Sequence, residues 1–375
     1  MNSVLKNKNK SLVIILLLGF ILLGLSFYLK NPHCIEDVVR RCLTYENVEK
    51  GVYPIDSVKW CSFPISFYLD KGGVPFGIQD VTHPSVTLKE VDSLNIEFWI
   101  ATTPYPQSLP QTGEPYENPC IYYSCSNVSG IPIDFSPISC NPVLLNNGAK
   151  YNSDPDLLYS QHDSLFYLIT RKRKGEDYIT KIVAQSSVNG EEWTPPFDLI
   201  ISDKLELCPC LVQLSDSLYR IYTFNPDNNT YHTLNCIDYW ESNSVIRHPF
   251  DYKGSIPWNK GINVWHGDIV KHNNCFYMVF CGTNENFRNL LGQPDLSRYL
   301  WLAESKDGLN FHVYQRPVLK MNGVYRSTFT VINDDHIVVY FSVHNRFRKD
   351  KKNYPAGNRI GVISFSLSDF MANNN

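Results

Sequence analysis

The most constraining feature of the chain is a short phrase that occurs five times. In each copy a Pro, Gly or Ser follows a polar residue or a Cys, and a run of aromatic or β-branched residues comes after it. Successive copies are 54 to 71 residues apart and begin at His83-Pro84, Asp154-Pro155, Cys208-Pro209, His266-Gly267 and Arg326-Ser327. Self-similarity at this period, in sequence rich in strand-forming residues, predicts a five-bladed β-propeller. Each phrase would then open the innermost strand of a blade.

A second recurring phrase agrees with this blade phase. Ser187-Val-Asn-Gly190 and Ser305-Lys-Asp-Gly308 each follow a predicted third strand and precede an aromatic residue, and residues 126–130 are a weaker copy. Asn-Gly and Asp-Gly are strong hairpin signals, and the aromatic content of 13% favours strands. We therefore expect an all-β domain over residues 78–370, preceded at 30–77 by a stalk and an entry segment that can close the ring.

The N-terminal region predicts a membrane anchor. Residues 12–29 form an apolar run just long enough to span a bilayer, and residues 1–11 before it carry Lys6, Lys8 and Lys10. The positive-inside rule leaves this tail in the cytoplasm and places the C-terminal domain on the extracytoplasmic side. A cleaved signal peptide is the alternative, which the lack of a small-x-small cleavage site disfavours. The localisation expected is a single-pass membrane protein.

Charge and cysteines limit the partners that we expect. The net charge of −3 gives no basic face for nucleic acid. All eleven cysteines follow the apolar run, so disulfides are expected in an exported domain, with at least one cysteine left over. Their spacing lacks the paired CxxC pattern of zinc sites, and neither a metal site nor a cofactor is predicted.

Polar residues that open inner strands are expected to meet at the propeller axis. They are His83, Asp154, Asp156, Cys208, Cys210, His266, Asp268, Tyr325 and Arg326, with Trp265 beside His266 and with Glu117 and Asn118 just before the third strand of blade 1. Asp154 and Asp156 flank one Pro, so a period of two points both side chains one way, and like charges raise one pKa. Such a pocket has the groups for acid–base work on a polar substrate.

Each of these residues also has a structural interpretation. His83 can cap a strand, Asp154 can be a turn residue, and Glu117 can be a solvated loop carboxylate. Trp265 can pack with a hydrogen-bonded His266 in a core. Arg326, among polar neighbours, must pair with a pocket carboxylate or with an anionic ligand.

These phrases resemble those of the five-bladed β-propeller glycoside hydrolases, the superfamily of arabinanases, xylosidases and fructosidases in families 43, 32, 62 and 68. The resemblance rests on Asp154-Pro-Asp156, on inner-strand phrases such as Phe166-Tyr-Leu168, and on the turn at Ala303-Glu-Ser-Lys-Asp-Gly308. It covers about residues 80–360. It implies a carbohydrate substrate and three carboxylates: an Asp of blade 1 as base or nucleophile, an Asp of blade 2 that orients, and a Glu of blade 3 as general acid.

The chain departs from that triad. Asp154 or Asp156 matches the blade 2 carboxylate, but His83 occupies the blade 1 position. In blade 3 the Glu expected two residues before Pro209 is replaced by Leu207, and Glu206 is one residue out of register and would face the other way. Either the carboxylates are re-sited or the ring has lost hydrolysis.

The sequence thus predicts a carbohydrate-active protein, with a glycoside hydrolase favoured. Glycosidic cleavage needs two carboxyl groups across the bond, for which an Asp of blade 2 and Glu117 are the candidates. In this hypothesis His83 and His266 hold hydroxyls or shuttle protons, and Trp265 stacks on sugar. Arg326 clamps an anionic group, while Asp268, Tyr325 and Asn118 help to bind substrate. The alternatives are a non-catalytic glycan-binding or surface-assembly module, and a lyase or transferase with a histidine base.

Overall fold

The protein forms the predicted five-bladed propeller. The computed structural model describes residues 57–64, 81–92, 95–105, 116–127, 130–145, 151–173, 179–226, 234–284, 299–321, 324–343 and 358–374. They contain five four-stranded sheets, each with antiparallel neighbours in a simple up-and-down order. This confirms the all-β fold class. The apolar run at 12–29, the tail at 1–11 and most of the segment at 30–77 lie outside the described residues.

The five recurring phrases all lie in the inner strands, which are β2, β6, β10, β14 and β18 in blades 1 to 5. Blade 1 consists of β2 (Val81–Glu90), β3 (Asn95–Pro104), β4 (Cys120–Asn127) and β5 (Ser136–Pro137). Blade 2 consists of β6 (Tyr151–Ser160), β7 (Leu165–Arg173), β8 (Thr180–Ser187) and β9 (Phe197–Ser202). Blade 3 consists of β10 (Leu207–Ser215), β11 (Leu218–Pro226), β12 (Leu234–Ser242) and β13 (Asp251–Pro257). Blade 4 consists of β14 (Ile262–His272), β15 (Cys275–Asn284), β16 (Tyr299–Ser305) and β17 (His312–Val313).

Blade 5 combines strands from the two ends of the described chain. It contains β18 (Val324–Ile332), β19 (His336–Val343) and β20 (Arg359–Ser366), and its outer strand is β1 (Lys59–Trp60). Lys59 pairs with Val362, and the Cys61 amide donates to the Ile360 carbonyl over 2.9 Å. Because a strand from before blade 1 completes blade 5, this pairing closes the ring.

Each pair of neighbouring blades encloses its own hydrophobic core. Five clusters of buried residues join blade 1 to 2, 2 to 3, 3 to 4, 4 to 5 and 5 to 1. Phe224 of blade 3 and Trp301 of blade 4, for example, are fully buried in one of them. Burial at roughly 25 cal/mol per Å² of apolar surface makes this blade-to-blade packing the main favourable term that holds the inner strands around the axis.

The turns after the third strands are alike in blades 2 and 4. The Gly190 amide donates to Ser187 Oγ, and the Glu191 amide donates to Asn189 Oδ1. The Gly308 amide likewise donates to Ser305 Oγ, and the Leu309 amide to Asp307 Oδ1. Gly190 and Gly308 have φ of 79° and 70°, which an L-residue adopts at a cost. The Ser-x-Asn/Asp-Gly phrase is therefore one turn used twice.

A short helix follows the last strand, and the described cysteines form no disulfides. Helix α1 (Leu367–Ala372) is capped by Ser366 and buries Leu367 and Phe370 in the core between blades 4 and 5. Within the described ranges there is no helix with both the length and the apolarity needed to cross a bilayer. None of the nine described cysteines forms a disulfide, so the expectation of disulfides is wrong for them. Cys34 and Cys42 lie outside the described residues.

Candidate functional site

All five inner strands are irregular at the same level near their N-terminal ends. The pairing register shifts between Thr82 and Ser85, Ser153 and Asp156, Leu207 and Cys210, Val264 and His266, and Val324 and Ser327. His83, Asp154 and Cys208, each followed by Pro, have φ of 51°, 51° and 47°. Proline cannot donate to the ladder and fits a bulge, while strained backbone of this kind concentrates at functional sites. The bulges turn these side chains toward the axis.

Three of the predicted site residues form what we call the entry cluster: His83, Asp154 and His266. One ligand atom from each lies within 4.8 Å of the others. The three side chains come from blades 1, 2 and 4 and are almost completely buried. The inner strands of these blades therefore place three residues that are distant in sequence close together. The cysteine spacing gave no indication of this cluster, because its members are spread over the sequence.

Both imidazoles are held at Nδ1. His83 Nδ1 lies 2.8 Å from Thr103 Oγ1, and His266 Nδ1 lies 2.5 Å from Cys208 Sγ. Nε2 of His83 is 3.4 Å from Asp154 Oδ1. Burial, only partly opposed by the Asp154 charge, lowers the pKa of His83 to about 3, so its ring is neutral near pH 7. Imidazoles fixed at one nitrogen by an outer hydrogen bond are typical of metal ligands.

Asp154 is a permanently ionised carboxylate. Arg171 Nε lies 2.7 Å from its Oδ2, and Arg326 Nη1 lies 3.3 Å from its Oδ1. Burial alone would raise the pKa of Asp154, but the guanidinium charges of Arg171 and Arg326 hold it well below its usual range. Asp154 therefore cannot serve as a proton donor at ordinary pH. A neutral imidazole such as that of His83, beside an ionised carboxylate, is in the protonation state that a metal ion requires.

The structure gives Arg326 a different role from the one expected and adds Arg171 to the site. Arg326 is 1% exposed and donates to Asp154 and, over 2.8 Å, to the Pro155 carbonyl. It is therefore engaged inside the hub, which argues against the predicted role as a clamp for a substrate anion. Arg171 was missed by the sequence reasoning because it lies in the second strand of blade 2. Its Nη2 donates to Ser153 Oγ, and it reaches Asp154 from the neighbouring strand.

Aromatic rings pack beside the entry cluster. The Tyr325 ring lies 4.5 Å from the His266 ring and 5.4 Å from the His83 ring, measured between centroids. Trp265 lies 5.1 Å from His266 and 6.4 Å from the Tyr325 ring, again measured between centroids. Burial raises the pKa of Tyr325, so its hydroxyl is protonated. These rings give the cluster an apolar wall with one neutral hydroxyl.

Glu117 and Asn118 lie near the same end of the hub. Both are 5% exposed, and the Glu117 carbonyl accepts from the Asn152 amide over 2.9 Å. Asn152 Nδ2 donates to Asn118 Oδ1 over 3.2 Å. The Glu117 charge helps to raise the pKa values of Arg171 and Tyr325, which places its carboxylate within electrostatic reach of the cluster. Of the carboxylates predicted for the site, Glu117 is thus the one that joins Asp154.

Asp156 and Asp268 belong to a second ring of residues, two positions further along the inner strands. This hub belt consists of Ser85, Asp156, Cys210, Asp268 and Thr328. Ser85 accepts from the Leu157 amide, Asp156 from Leu211, Asp268 from Phe329, and Thr328 from Val86, while the Cys210 thiol donates to the Gly267 carbonyl. Each member therefore bonds the backbone of the next blade. The belt closes the ring of blades with hydrogen bonds.

The two aspartates of blade 2 do not act as the pair that a simple alternation predicts. The bulge between Ser153 and Asp156 separates their environments: Asp154 pairs with arginines, and Asp156 accepts from Leu211 and Ser85. Burial and then the Asp268 charge raise the pKa of Asp156 to about 7. The carboxyl coupled to Asp156 is thus that of blade 4. Both belt aspartates line a cavity of about 430 Å³ toward the C-terminal ends of the inner strands.

Glu206 belongs to neither the entry cluster nor the hub belt. Its carboxylate accepts from Ser202 Oγ over 2.8 Å and from Thr223 Oγ1, and Asn225 joins it to Asp238. Glu206 is fully buried, and its partners Thr223, Asn225 and Asp238 lie on strands of blade 3, whereas Ser202 ends β9 of blade 2. The blade 3 position nearest to the entry cluster is filled by Cys208 instead.

No protein-family model matches the chain, and no curated protein matches its sequence. Among solved structures, an N-acetylgalactosamine deacetylase from F. plautii, in complex with blood group B trisaccharide, matches with a TM-score of 0.63 and 17% identity. That match covers 84% of this chain and 96% of the deacetylase. A Bombyx mori family GH32 β-fructofuranosidase in complex with sucrose matches with a TM-score of 0.54 and 9% identity, over 88% of this chain and 68% of its own.

A family 117 glycoside hydrolase of the marine bacterium Zobellia galactanivorans has a TM-score of 0.52 at 12% identity, over 83% of this chain and 90% of its own. Likeness at these identities establishes the fold. The chain therefore shares the five-bladed propeller of glycoside hydrolases and of a deacetylase, as the resemblance implied. Its chemistry has to be argued from its own site.

Proposed function

We propose that the protein is a metal-dependent hydrolase that removes an acyl group from an N-acylated sugar in a glycan. The observation that carries this proposal is the entry cluster, in which His83, Asp154 and His266 offer ligand atoms within 4.8 Å of one another. The substrate class is supported by the likeness to a deacetylase of an N-acetylated sugar. The entry cluster also favours this chemistry over glycosidic cleavage, because its carboxylate, Asp154, is fixed in ion pairs with Arg171 and Arg326.

The residues fit a divalent metal ion. Two imidazole nitrogens and one carboxylate oxygen are the donor set of zinc and related metals in hydrolases. Thr103 and Cys208 hold the rings, and Arg171 and Arg326 hold the carboxylate. When bound, such a metal lowers the pKa of a water ligand and polarises a carbonyl.

The other residues have roles that follow from their positions. Glu117 is the candidate general base for the attacking water and the donor of that proton to the departing amine. The neutral Tyr325 hydroxyl can donate to the acyl oxygen as negative charge builds there. Trp265 and the Tyr325 ring provide the surface on which a sugar face can stack.

A glycoside hydrolase is the second candidate. It is favoured by one observation, namely that Glu117 is a buried carboxylate whose charge acts on Arg171, as that of Asp154 does. In that mechanism Glu117 and a blade 2 aspartate would flank the glycosidic bond. A non-catalytic glycan-binding module would keep Trp265 and Tyr325 and would need no acid or base.

The experiment compares two products from one glycan panel. Purified full-length protein is incubated with glycans bearing N-acetylated sugars, and acetate and new reducing ends are both measured, with and without a chelator. We expect acetate release that stops with chelator and returns with zinc. Glu117→Gln should lower kcat by about 10²–10⁴-fold, the usual contribution of a general acid–base group. His248→Asn, at an exposed position, is the control that should keep full activity.

The possible results separate the candidates. Chelator-resistant release of reducing ends, lost in Glu117→Gln, would replace the deacylase by the glycosidase. Glycan binding without either product would favour the binding module. Full acetate release by Glu117→Gln would remove Glu117 from the mechanism.

We also propose that residues 12–29 anchor the protein in a membrane, with the propeller on the extracytoplasmic side. The support is the apolar run behind Lys6, Lys8 and Lys10. In intact cells, a protease added outside should degrade the propeller and spare an epitope placed on the N-terminal tail. Protection of the propeller under these conditions would contradict this topology.

A further inference from the structure

We infer that Cys208 is a positioning residue: its thiol holds the His266 imidazole so that Nε2 is the ring nitrogen that faces Asp154 and His83. The role of Cys208 in orienting the imidazole does not depend on the proposed function. Its consequence for metal affinity rests on the proposed function.

The contact that carries this inference is built into the hub. Cys208 Sγ lies 2.5 Å from His266 Nδ1, although 57 residues separate the two in sequence. Both side chains are buried, with exposures of 0% and 1%. Cys208 cannot easily move away, because it lies in the bulge of β10 with φ of 47° and precedes Pro209. The Tyr325 ring packs against the imidazole at 4.5 Å.

The arrangement repeats on His83 with a different group. There Thr103 Oγ1 lies 2.8 Å from Nδ1, and Nε2 lies 3.4 Å from Asp154. In both histidines, a neutral side chain from a neighbouring strand contacts the ring at Nδ1. Blades 1, 2 and 4 thus supply His83, Asp154 and His266, and blade 3 places a supporting thiol at the matching position.

Cys210 is a matched control for Cys208. It lies two residues along the same strand and is equally buried, but its thiol donates to the Gly267 carbonyl, whereas the Cys208 thiol contacts His266 Nδ1. Replacing either cysteine by Ala removes the same atom from the same blade. Only Cys208→Ala removes the group on His266.

The first measurement is the tautomer of His266 in metal-free full-length protein labelled with ¹⁵N in its histidine rings. Its signals are assigned by their loss in His266→Gln. We expect one tautomer in wild type and in Cys210→Ala, a mixture of both in Cys208→Ala, and one again in Cys208→Ser, whose hydroxyl can restore the bond. One tautomer in Cys208→Ala overturns the inference. If that variant does not fold, a mixture in wild type overturns it equally.

The second measurement is zinc affinity by competition with a chromogenic chelator. Loss of an outer-shell partner typically weakens metal binding 10–100-fold, so we expect about that loss in Cys208→Ala and none in Cys210→Ala. Unchanged affinity in Cys208→Ala contradicts the inference. If wild type binds no zinc while the tautomer still depends on Cys208, the proposed function fails and the positioning role stands.

Discussion

The entry cluster and the hub belt are built on the same inner strands, at positions two residues apart. His83, Asp154 and His266 turn toward one another at the bulges, whereas Asp156 and Asp268 bond the backbone of the next blade. In the first layer a carboxylate is held ionised by arginines; in the second, burial and a like charge raise the pKa of Asp156. The comparison teaches that the position of a polar residue relative to the bulge decides its role: it joins the entry cluster at the bulge, or it bonds the next blade two residues further on.

The largest difference between the layers is expected for Asp154→Asn. The substitution leaves the Arg171 and Arg326 guanidinium groups, 7% and 1% exposed, without the carboxylate between them. Breaking a buried ion pair from one side costs about 3–5 kcal/mol. Urea unfolding at pH 7 should show a loss of that size, together with loss of zinc binding. Asp198→Asn, which removes a half-exposed pair with Lys181, is the control and should cost little.

An unfolding free energy for Asp154→Asn within about 1 kcal/mol of wild type, the worth of an exposed pair, would contradict this account. The arginines would then be stabilised by other groups, and the electrostatic contrast between the two layers would disappear.

A middle-sized effect is expected when the belt is opened. Ser85 Oγ accepts from the Leu157 amide and donates to Asp156, both over 2.9 Å. Ser85→Ala leaves this buried amide without its acceptor, which costs about 1–3 kcal/mol. Thr328→Val should cost a similar amount, because Thr328 links Val86 and Asp268 in the same way. Ser136→Ala, on an exposed outer strand, should be neutral.

Zinc affinity separates this prediction from the previous one. Both belt variants should bind zinc as wild type does, because the hydrogen bonds of Ser85 and Thr328 run to Asp156, to Asp268 and to backbone amides of the next blade. Weakened zinc binding in Ser85→Ala would show that the layers are coupled and would end the simple division between them.

The fold could be predicted from the sequence because the propeller is a repeat. Five inner-strand phrases and two turns with the same hydrogen bonds mark where the blades begin and turn. The same local pattern is therefore seen several times within one chain. The pairing of Lys59–Trp60 with β20 is a long-range closure that no local signal specifies. Residues 31–77 contain no copy of the phrase, so the sequence indicated only that a segment in this region can close the ring.

The site could be predicted only in part. His83, Asp154 and His266 were singled out one by one because they open inner strands, but their grouping with one another depends on bulges that the sequence shows only as X-Pro steps. Alternation of period two failed for Asp154 and Asp156 for this reason. Arg171 and Thr103 lie on second strands and carry no motif, so nothing in the sequence linked them to the axis.

The effect expected for Asp156→Asn is distinguished by its sign as the pH changes rather than by its size at any one pH. The folded-state pKa of Asp156 is raised to about 7 from 3.8, by burial first and the Asp268 charge second. The native protein therefore holds a proton that the unfolded chain releases. The stability that this proton contributes is fully present below about pH 4 and is lost as pH rises through about 7.

Asn cannot ionise and removes this dependence. We expect Asp156→Asn to be slightly less stable than wild type at pH 4, because the fit of its amide to Ser85 and Leu211 is poorer. It should gain relative to wild type as pH rises toward 7, and the difference should level off above that. Urea midpoints from pH 4 to 9 measure it, with Asp198→Asn as the control that shows no such trend. A constant difference across this range would mean that Asp156 is ionised throughout, and the belt would then resemble the entry cluster in charge.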